Sequence, residues 1–292
     1  MATEPDTTIT QIIRQRYSCR RFMKTPIASD VQVAFQERLS QLNTGPLGSQ
    51  VRFTLSAATQ QDHSALRGLG TYGFIKNATG FIIGAVQPTK HGIEDFGYAM
   101  EQAVLEATAL GLGTCWLGGT FTKSSFAQKI DKQNGEVIPA VIATGYADPE
   151  GRSKDVIRRT ARSDWRLPWE NLFFEDSFSN PLSQISADKY AEALEMVRIG
   201  PSASNKQPWR IVRSGQLWHF YCQRTPGYGK GSFLFNLANL ADVQRLDIGI
   251  AMCHFELTLC EQGLAGEWVA ADPLLESRDG LLEYMVTWQS RN

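Results

Sequence analysis

The strongest constraint on this chain is that it carries one domain-sized plan twice. Asp95 to Leu112 (DFGYAMEQAVLEATALGL) lies without gaps on Asp247 to Leu264 (DIGIAMCHFELTLCEQGL) at an offset of 152, matching Asp, Gly, Ala, Met, Gly and Leu. Two further anchors keep almost the same spacing: Gly45-Pro46 recurs as Gly200-Pro201 and Pro26-Ile27 as Pro181-Leu182, both at an offset of 155. Such a period is far longer than a solenoid unit and implies an internal pseudo-dimer. A chain of 292 residues can bury one large core or two smaller ones. The expected organisation is a first half over 1–150, a charged connector over 151–180 and a second half over 181–292.

The formal net charge of −1 argues against nucleic acid and against an anionic membrane as partners, since both draw their affinity from excess Lys and Arg. The N-terminal MATEPDTTITQ has neither a basic start nor an apolar run, and no segment reaches a membrane span, so a cytoplasmic protein is expected. The five cysteines, Cys19, Cys115, Cys222, Cys253 and Cys260, lack metal-ligand spacing and read as small buried hydrophobes. His63, His91, His219 and His254 form no spaced cluster, and no metal site is expected.

Both element types occur in each half, which makes the fold α+β. Helices are predicted over Thr7 to Arg16 and over Ser29 to Leu42 with Ser29 as N-cap, and strands over Val51 to Ala57 and Phe81 to Val86. Phe96 to Leu110 is apolar almost all round and reads as a buried helix ending at Gly111. Its twin is Ile248 to Cys260, and the two should pack on each other at the pseudo-dimer interface. Val137 to Tyr146 reads as a buried strand, and Ala147 to Phe178 as an irregular connector. The second half repeats the plan with a helix over Ser186 to Arg198, a hairpin over Trp209 to Gln223 turning near Ser214-Gly215, and strands over Glu267 to Ala270 and Leu281 to Gln289. Pro226 to Gly231 (PGYGKG) lacks the ending of a phosphate loop and reads as a surface loop.

Three motifs carry chemistry. In Arg16-Tyr17-Ser18-Cys19-Arg20, alternate residues of an extended chain would point Arg16, Ser18 and Arg20 at one anion, a phosphate being the natural guest; the alternative is a solvated basic stretch. Pro201-Ser202-Ala203-Ser204-Asn205-Lys206-Gln207-Pro208-Trp209 places small hydroxyl and amide side chains between two prolines, a rigid polar loop able to hydrogen-bond a flat heterocycle or its sugar chain. Gly111 to Gly119 (GLGTCWLGG) begins like a dinucleotide fingerprint, but Trp116 replaces the last glycine and the segment follows a helix and leads toward a loop, which disfavours a Rossmann site.

Together these motifs resemble the FMN-dependent nitroreductase superfamily, and in particular its single-chain, two-lobed members. The resemblance implies a nitroreductase-like fold, internally duplicated into a pseudo-two-fold dimer within one chain. Arg16, Tyr17, Ser18 and Arg20 are similar to that family's phosphate and ribityl motif, and Pro201, Ser202, Ala203, Ser204, Asn205 and Gln207 to its Pro-Ser loop. The family pattern also implies that Gly118 and Gly119 present backbone N–H groups to the flavin, and that Arg166, or else Arg162, completes the phosphate clamp. In that family two subunits build each pocket together. Here the first half has only Gly45-Pro46-Leu47-Gly48-Ser49 in place of the Pro-Ser loop, and the second has Asn171 and Glu175 in place of Arg16 and Arg20. One flavin site is kept and the other erased, because a phosphate repels Glu175 and Asp176.

The implied activity is an FMN-dependent oxidoreductase in which NADH or NADPH reduces the flavin and a small planar acceptor, such as a nitroaromatic or quinone, takes the electrons. No side chain is required as general acid or base, since the cofactor carries the redox chemistry. The alternative is a flavin-binding or flavin-sensing protein with little or no turnover. With both walls of the site on one chain, a monomer is expected, taking a small-molecule substrate. Phe121 reads either as a substrate-face residue or as ordinary core.

Overall fold

In a computed structural model the chain is described over residues 7–60, 62, 64–71, 73–119, 121–228, 241–275 and 280–291. Helix α1 (Ile9–Gln15) opens with a capping box: Thr8 Oγ1 accepts from the Gln11 N–H while Gln11 Oε1 accepts from the Thr8 N–H at 3.0 Å. Helix α2 (Ser29–Gln41) starts one residue earlier than expected. The Gln32 N–H bonds the Ala28 carbonyl at 2.9 Å, so Ala28 is the N-cap and Ser29 the first helical residue.

The first half forms a four-stranded antiparallel sheet from β1 (Val51–Ala57), β2 (Gly80–Val86), β3 (Gly113–Leu117) and β4 (Val141–Gly145), in the order β1-β2-β4-β3. β4 is shorter than the segment Val137 to Tyr146 suggested. Pro139 has no N–H to give the ladder, and Val137 makes only an isolated bridge to Val86. Helix α3 (Gly92–Ala109) lies between β2 and β3, and α4 (Lys123–Lys129) follows β3. Gly111 takes φ +76° just past α3, the left-handed stop expected there.

The connector is more ordered than its composition implied. It contains α5 (Val156–Thr160), N-capped by Asp155, then a 3₁₀ turn over Trp169–Asn171, then β5 (Phe173–Glu175) and β6 (Ser177–Pro181). The helix expected over Ser186 to Arg198 is broken into α6 (Gln184–Ala187), a 3₁₀ turn and α7 (Ala191–Ile199), because Asp188 adopts φ +50°.

The second half builds β7 (Trp209–Ser214), β8 (Leu217–Gln223), β9 (Ala265–Val269) and β10 (Leu282–Arg291), with helix α8 (Val243–Glu261) between β8 and β9. Their order, β7-β8-β10-β9, and their antiparallel pairing repeat those of β1-β2-β4-β3. The hairpin turns at Gly215, φ +60°. β5 then adds parallel to β7, so the connector becomes part of the second sheet. Of the glycine-rich segment Pro226 to Gly231, residues from 229 onward lie outside the described residues, as does His63.

The twin helices α3 and α8 pack on each other, as the repeat required. Ions and polar groups cross the same interface: Arg245 Nη2 donates to Glu94 Oε2 at 2.6 Å, and His254 Nε2 lies 3.0 Å from Glu101 Oε1. On either side of it lie the apolar clusters of the two sheets, one around Phe35, Phe96 and Ile142, the other around Trp209, Phe220, Phe255 and Trp288. Among the described residues no helix is long and apolar enough to cross a membrane.

Candidate functional site

The repeat reaches down to single hydrogen bonds. Asp95 accepts from the backbone N–H groups of Leu47 (2.7 Å) and Ser49 (2.8 Å), docking the Gly45 to Ser49 loop onto α3. Asp247, its counterpart at an offset of 152, accepts from the Ala203 N–H at 3.0 Å and docks the Pro201 to Trp209 loop onto α8. The two halves thus place equivalent loops on equivalent aspartates, but only the second carries polar side chains into a cavity.

That cavity, of about 350 Å³, lies between the end of α1, the connector and the Pro201 to Trp209 loop. Its lining includes Arg14, Arg16, Arg20, Arg152, Arg158 and Arg166 against one carboxylate, Asp164. Arg16 terminates α1 with an extended backbone (φ −60°, ψ 132°), and Ser18 forms a parallel bridge with Thr114 of β3. Arg16, Tyr17, Ser18 and Arg20 therefore all reach the same space. Arg20 Nη1 donates to Asp155 Oδ2 at 3.1 Å, and Asp155 Oδ1 in turn accepts from the Arg158 N–H, which aims α5 and its Arg158 side chain at the cavity. The guanidinium groups of Arg152 and Arg158 lie over the Tyr17 ring at 5.1 and 5.7 Å.

The cations are not neutralised from within. The Nε atoms of Arg16, Arg158 and Arg166 are buried and have no hydrogen-bond partner among the described residues. Burial, and then the neighbouring Arg16, Arg158 and Arg198, draw Arg166 down to about 10, which still leaves it charged at neutral pH. Burial likewise lowers Arg16, with Glu101 opposing and Arg158 reinforcing the shift. Buried polar atoms without partners are costly, and several like charges around one space are more so. An anion with several acceptor oxygens, such as a phosphate, satisfies both demands at once.

The Pro201 to Trp209 loop is held in a demanding conformation. Ser204, Asn205 and Gln207 have φ of 51°, 54° and 49°. Left-handed non-glycine residues cost about 1–3 kcal/mol each, so surrounding bonds must fix them. Ser202 Oγ accepts from the Gln207 N–H at 2.8 Å. Asn205 Nδ2 donates to the carbonyls of Arg162 (2.8 Å) and Trp165 (3.1 Å), while its Oδ1 accepts from Arg166. Gln207 Oε1 accepts from the Leu167 N–H at 2.7 Å.

The loop and connector thus brace each other, and Pro201, Ser202, Ser204, Asn205 and Arg166 line the cavity. Gln207 does not: it is fully buried behind the loop as a staple. Arg162 is exposed and contributes its carbonyl to Asn205; its side chain does not line the cavity.

A narrower recess of about 110 Å³ shares Ser18, Arg20, Pro201, Ser202 and Ser204 with the cavity and continues to Trp116, Gly118, Ala203, Val243, Leu246, Asp247 and Ile250. Gly118 is needed there, since a Cβ would come 2.8 Å from Val243 Cγ1. Gly119 is exposed and outside the lining. The segment read as a loop around Trp116 is strand β3 up to Leu117. Phe121 is 3% exposed and packs edge-on against Phe126 at 5.4 Å, which makes it core.

Arg152, Arg158, Trp116 and Asp247 complete the lining without having been singled out. Asp247 did carry a signal, as one of the matched residues of the repeat. The arginines of the connector did not, because only the Asp155 cap turns them toward α1.

A family model described as "Putative TM nitroreductase" matches residues 8–259. Among solved structures, a crystal structure of a putative nitroreductase from Thermotoga maritima is 18% identical, covers 99% of this chain and 96% of its own, and superposes with a TM-score of 0.59. A nitroreductase with bound FMN from Bacteroides fragilis is 20% identical and covers 49% of this chain and 90% of its own, at a TM-score of 0.38. A putative nitroreductase in complex with FMN from Desulfovibrio desulfuricans is 22% identical over 50% and 90%, at 0.39. No curated protein matches. The family match over nearly the whole chain, with a two-lobed relative of the same length and fold, shows that this chain belongs to the nitroreductase family that the model describes.

Proposed function

We propose that the chain binds FMN in the arginine-lined cavity and its adjoining recess, and works as an oxidoreductase with NADH or NADPH as electron donor and a small planar molecule, such as a nitroaromatic or quinone, as acceptor. The observation that carries the reading is the set of buried, unpartnered Nε atoms of Arg16, Arg158 and Arg166 around one space. Family membership supports flavin-dependent redox chemistry in the same place. The proposal includes a site complete on one chain, a monomer and a cytoplasmic location.

The flavin, when bound, supplies the hydride-exchanging centre, and the protein binds, orients and shields it. Arg16, Arg158 and Arg166 would hold the phosphate, with Arg20 fixed beside them by Asp155. Ser18, Ser202 and Asn205 offer hydroxyl and amide groups to the ribityl chain. Trp116, Val243, Leu246 and Ile250 exclude water from the recess, and Gly118 allows the backbone to approach. Asp247 holds the loop in register through the Ala203 N–H.

The test is the visible absorption of the protein after FMN is added and excess removed, followed by anaerobic NADH or NADPH. One retained flavin per chain that bleaches with the nicotinamide supports the oxidoreductase. Retention without bleaching favours a flavin-binding protein with little turnover, and no retention removes the flavin reading altogether.

A further inference from the structure

Beneath the cavity lies a polar cluster that the proposed reaction does not use. Glu101 of α3 and His254 of α8 are both fully buried. Glu101 Oε2 accepts from Trp116 Nε1 at 2.8 Å, and Glu101 Oε1 lies 3.6 Å from Arg16 Nε. One carboxylate therefore touches the ring end of the site through Trp116 and the anion end through Arg16. His254 holds that carboxylate from the other half and lies against Gly200, where a Cβ would come 3.4 Å from its Nδ1.

The cluster exists once. At an offset of 152 the counterpart of Glu101 is Cys253 and that of His254 is Gln102, so the erased site has neither partner. The pair belongs to the kept site and is not inherited symmetry.

Its protonation follows from hydrogen-bond chemistry. His254 Nδ1 lies 2.8 Å from the Met196 carbonyl, which only accepts, so Nδ1 carries a proton. Nε2 and Glu101 Oε1 at 3.0 Å then need one proton between them, since a bare nitrogen facing a carboxylate is repelled. With that proton the pair is neutral overall, and without it the pair carries one negative charge beside Arg16. We infer that Glu101, held by His254, is a positioning residue for the anion cavity, and that an anion binding at Arg16 draws one proton into the Glu101 and His254 pair.

The sign follows from electrostatics. With the cavity empty, buried Arg16 favours the deprotonated pair as its counter-charge. Once a phosphate faces Arg16, a negative pair is disfavoured and the proton is taken up. The groups acting on the pair are Arg16 from the end of α1, Trp116 from β3, the Met196 carbonyl from α7, and Asp247 and Cys253 from α8, with Arg158 of α5 acting through Arg16.

Glu101→Gln is the discriminating variant. Its amide can donate to a neutral His254 Nε2 and accept from Trp116, so it mimics the pair with its proton permanently in place. The inference rests on FMN binding in this cavity, and calorimetric titration of the full chain with FMN, in buffers of different ionisation enthalpy across pH 6–9, tests both. In the wild type, proton uptake should exceed that of Glu101→Gln, and affinity should fall with rising pH by up to ~10-fold per unit for one linked proton, a slope absent from the variant. Protons taken by the FMN phosphate itself appear in both proteins and cancel in the difference. Equal uptake and equal slopes in two proteins that both bind FMN would overturn this inference alone, and no FMN binding by wild type would overturn it together with the flavin reading. Should Glu101→Gln fail to fold, His254→Gln, which cannot carry the shared proton as an imidazolium, must lose the same slope or the inference falls.

Discussion

Gly97 and Gly249, equivalent residues of the two halves, meet where α3 crosses α8: a Cβ on Gly249 would come 2.9 Å from the Gly97 Cα and 2.7 Å from the Tyr98 nitrogen, and would strike the Glu94 carbonyl. A Cβ on Gly97 would likewise meet the Leu246 backbone, 3.1 Å from its Cα. The interface between the halves is thus a close backbone crossing that only glycine permits.

Replacing either glycine should therefore cost the whole molecule. Gly249→Ala gains about 1 kcal/mol of helix propensity, but its methyl meets backbone, which cannot rotate away, and overpacking costs about 1–3 kcal/mol or more. A lower urea midpoint for Gly249→Ala is expected, and an unchanged one would contradict the close crossing.

Arg245 and Glu94 tie the same interface electrostatically. Glu94 is 1% exposed, so Arg245→Ala leaves a buried carboxylate unpaired, at about 3–5 kcal/mol. The double replacement by apolar residues should recover most of that loss in chemical denaturation, because the penalty belongs to the orphaned charge.

Burial holds Asp247 well above the ordinary carboxylate value of 3.8, so at intermediate pH the folded state binds more protons there than the unfolded chain. Its contribution to stability is full below 3.8 and is lost as pH rises toward the raised folded value, at about 1.4 kcal/mol per unit. Asp247→Asn keeps an oxygen for the Ala203 N–H and has no proton to lose. Its unfolding free energy, measured against pH, should lack this decline and exceed that of the wild type near neutrality.

Arg20→Glu sets a carboxylate among the arginines and opposite Asp155. FMN retention should fall by about 100-fold or more, as a charge-assisted contact becomes a repulsive one. Equilibrium dialysis measures it, with circular dichroism as the control for folding, and normal flavin content in a folded variant would remove the phosphate assignment.

Because Arg16 and Ser202 come from opposite halves of one chain, FMN affinity should not vary with protein concentration. Titrations at widely different concentrations, beside gel filtration, check this; an affinity that tracks dimer formation would count against the single-chain site.

The sequence by itself determined the duplication, the twin helices, the hairpin and the two motifs that meet in the cavity. Each rests on local pattern: a glycine or aspartate recurring at fixed spacing, an apolar run, or polar residues between prolines. What it could not supply was which side chains come together across the halves. Gln207 carries the same loop signature as Ser202, yet it faces inward because the loop turns left-handed at Ser204 and Asn205. Arg158 rather than Arg162 joins the arginines, because Asp155 caps α5 and Arg158 falls on the helix face toward Tyr17. Glu101 and His254 sit on separate helices and gain meaning only where those helices cross. Periodicity and composition report what one segment prefers, whereas a binding site is a set of distances between segments, and those were fixed only when the glycine crossing brought the two halves together.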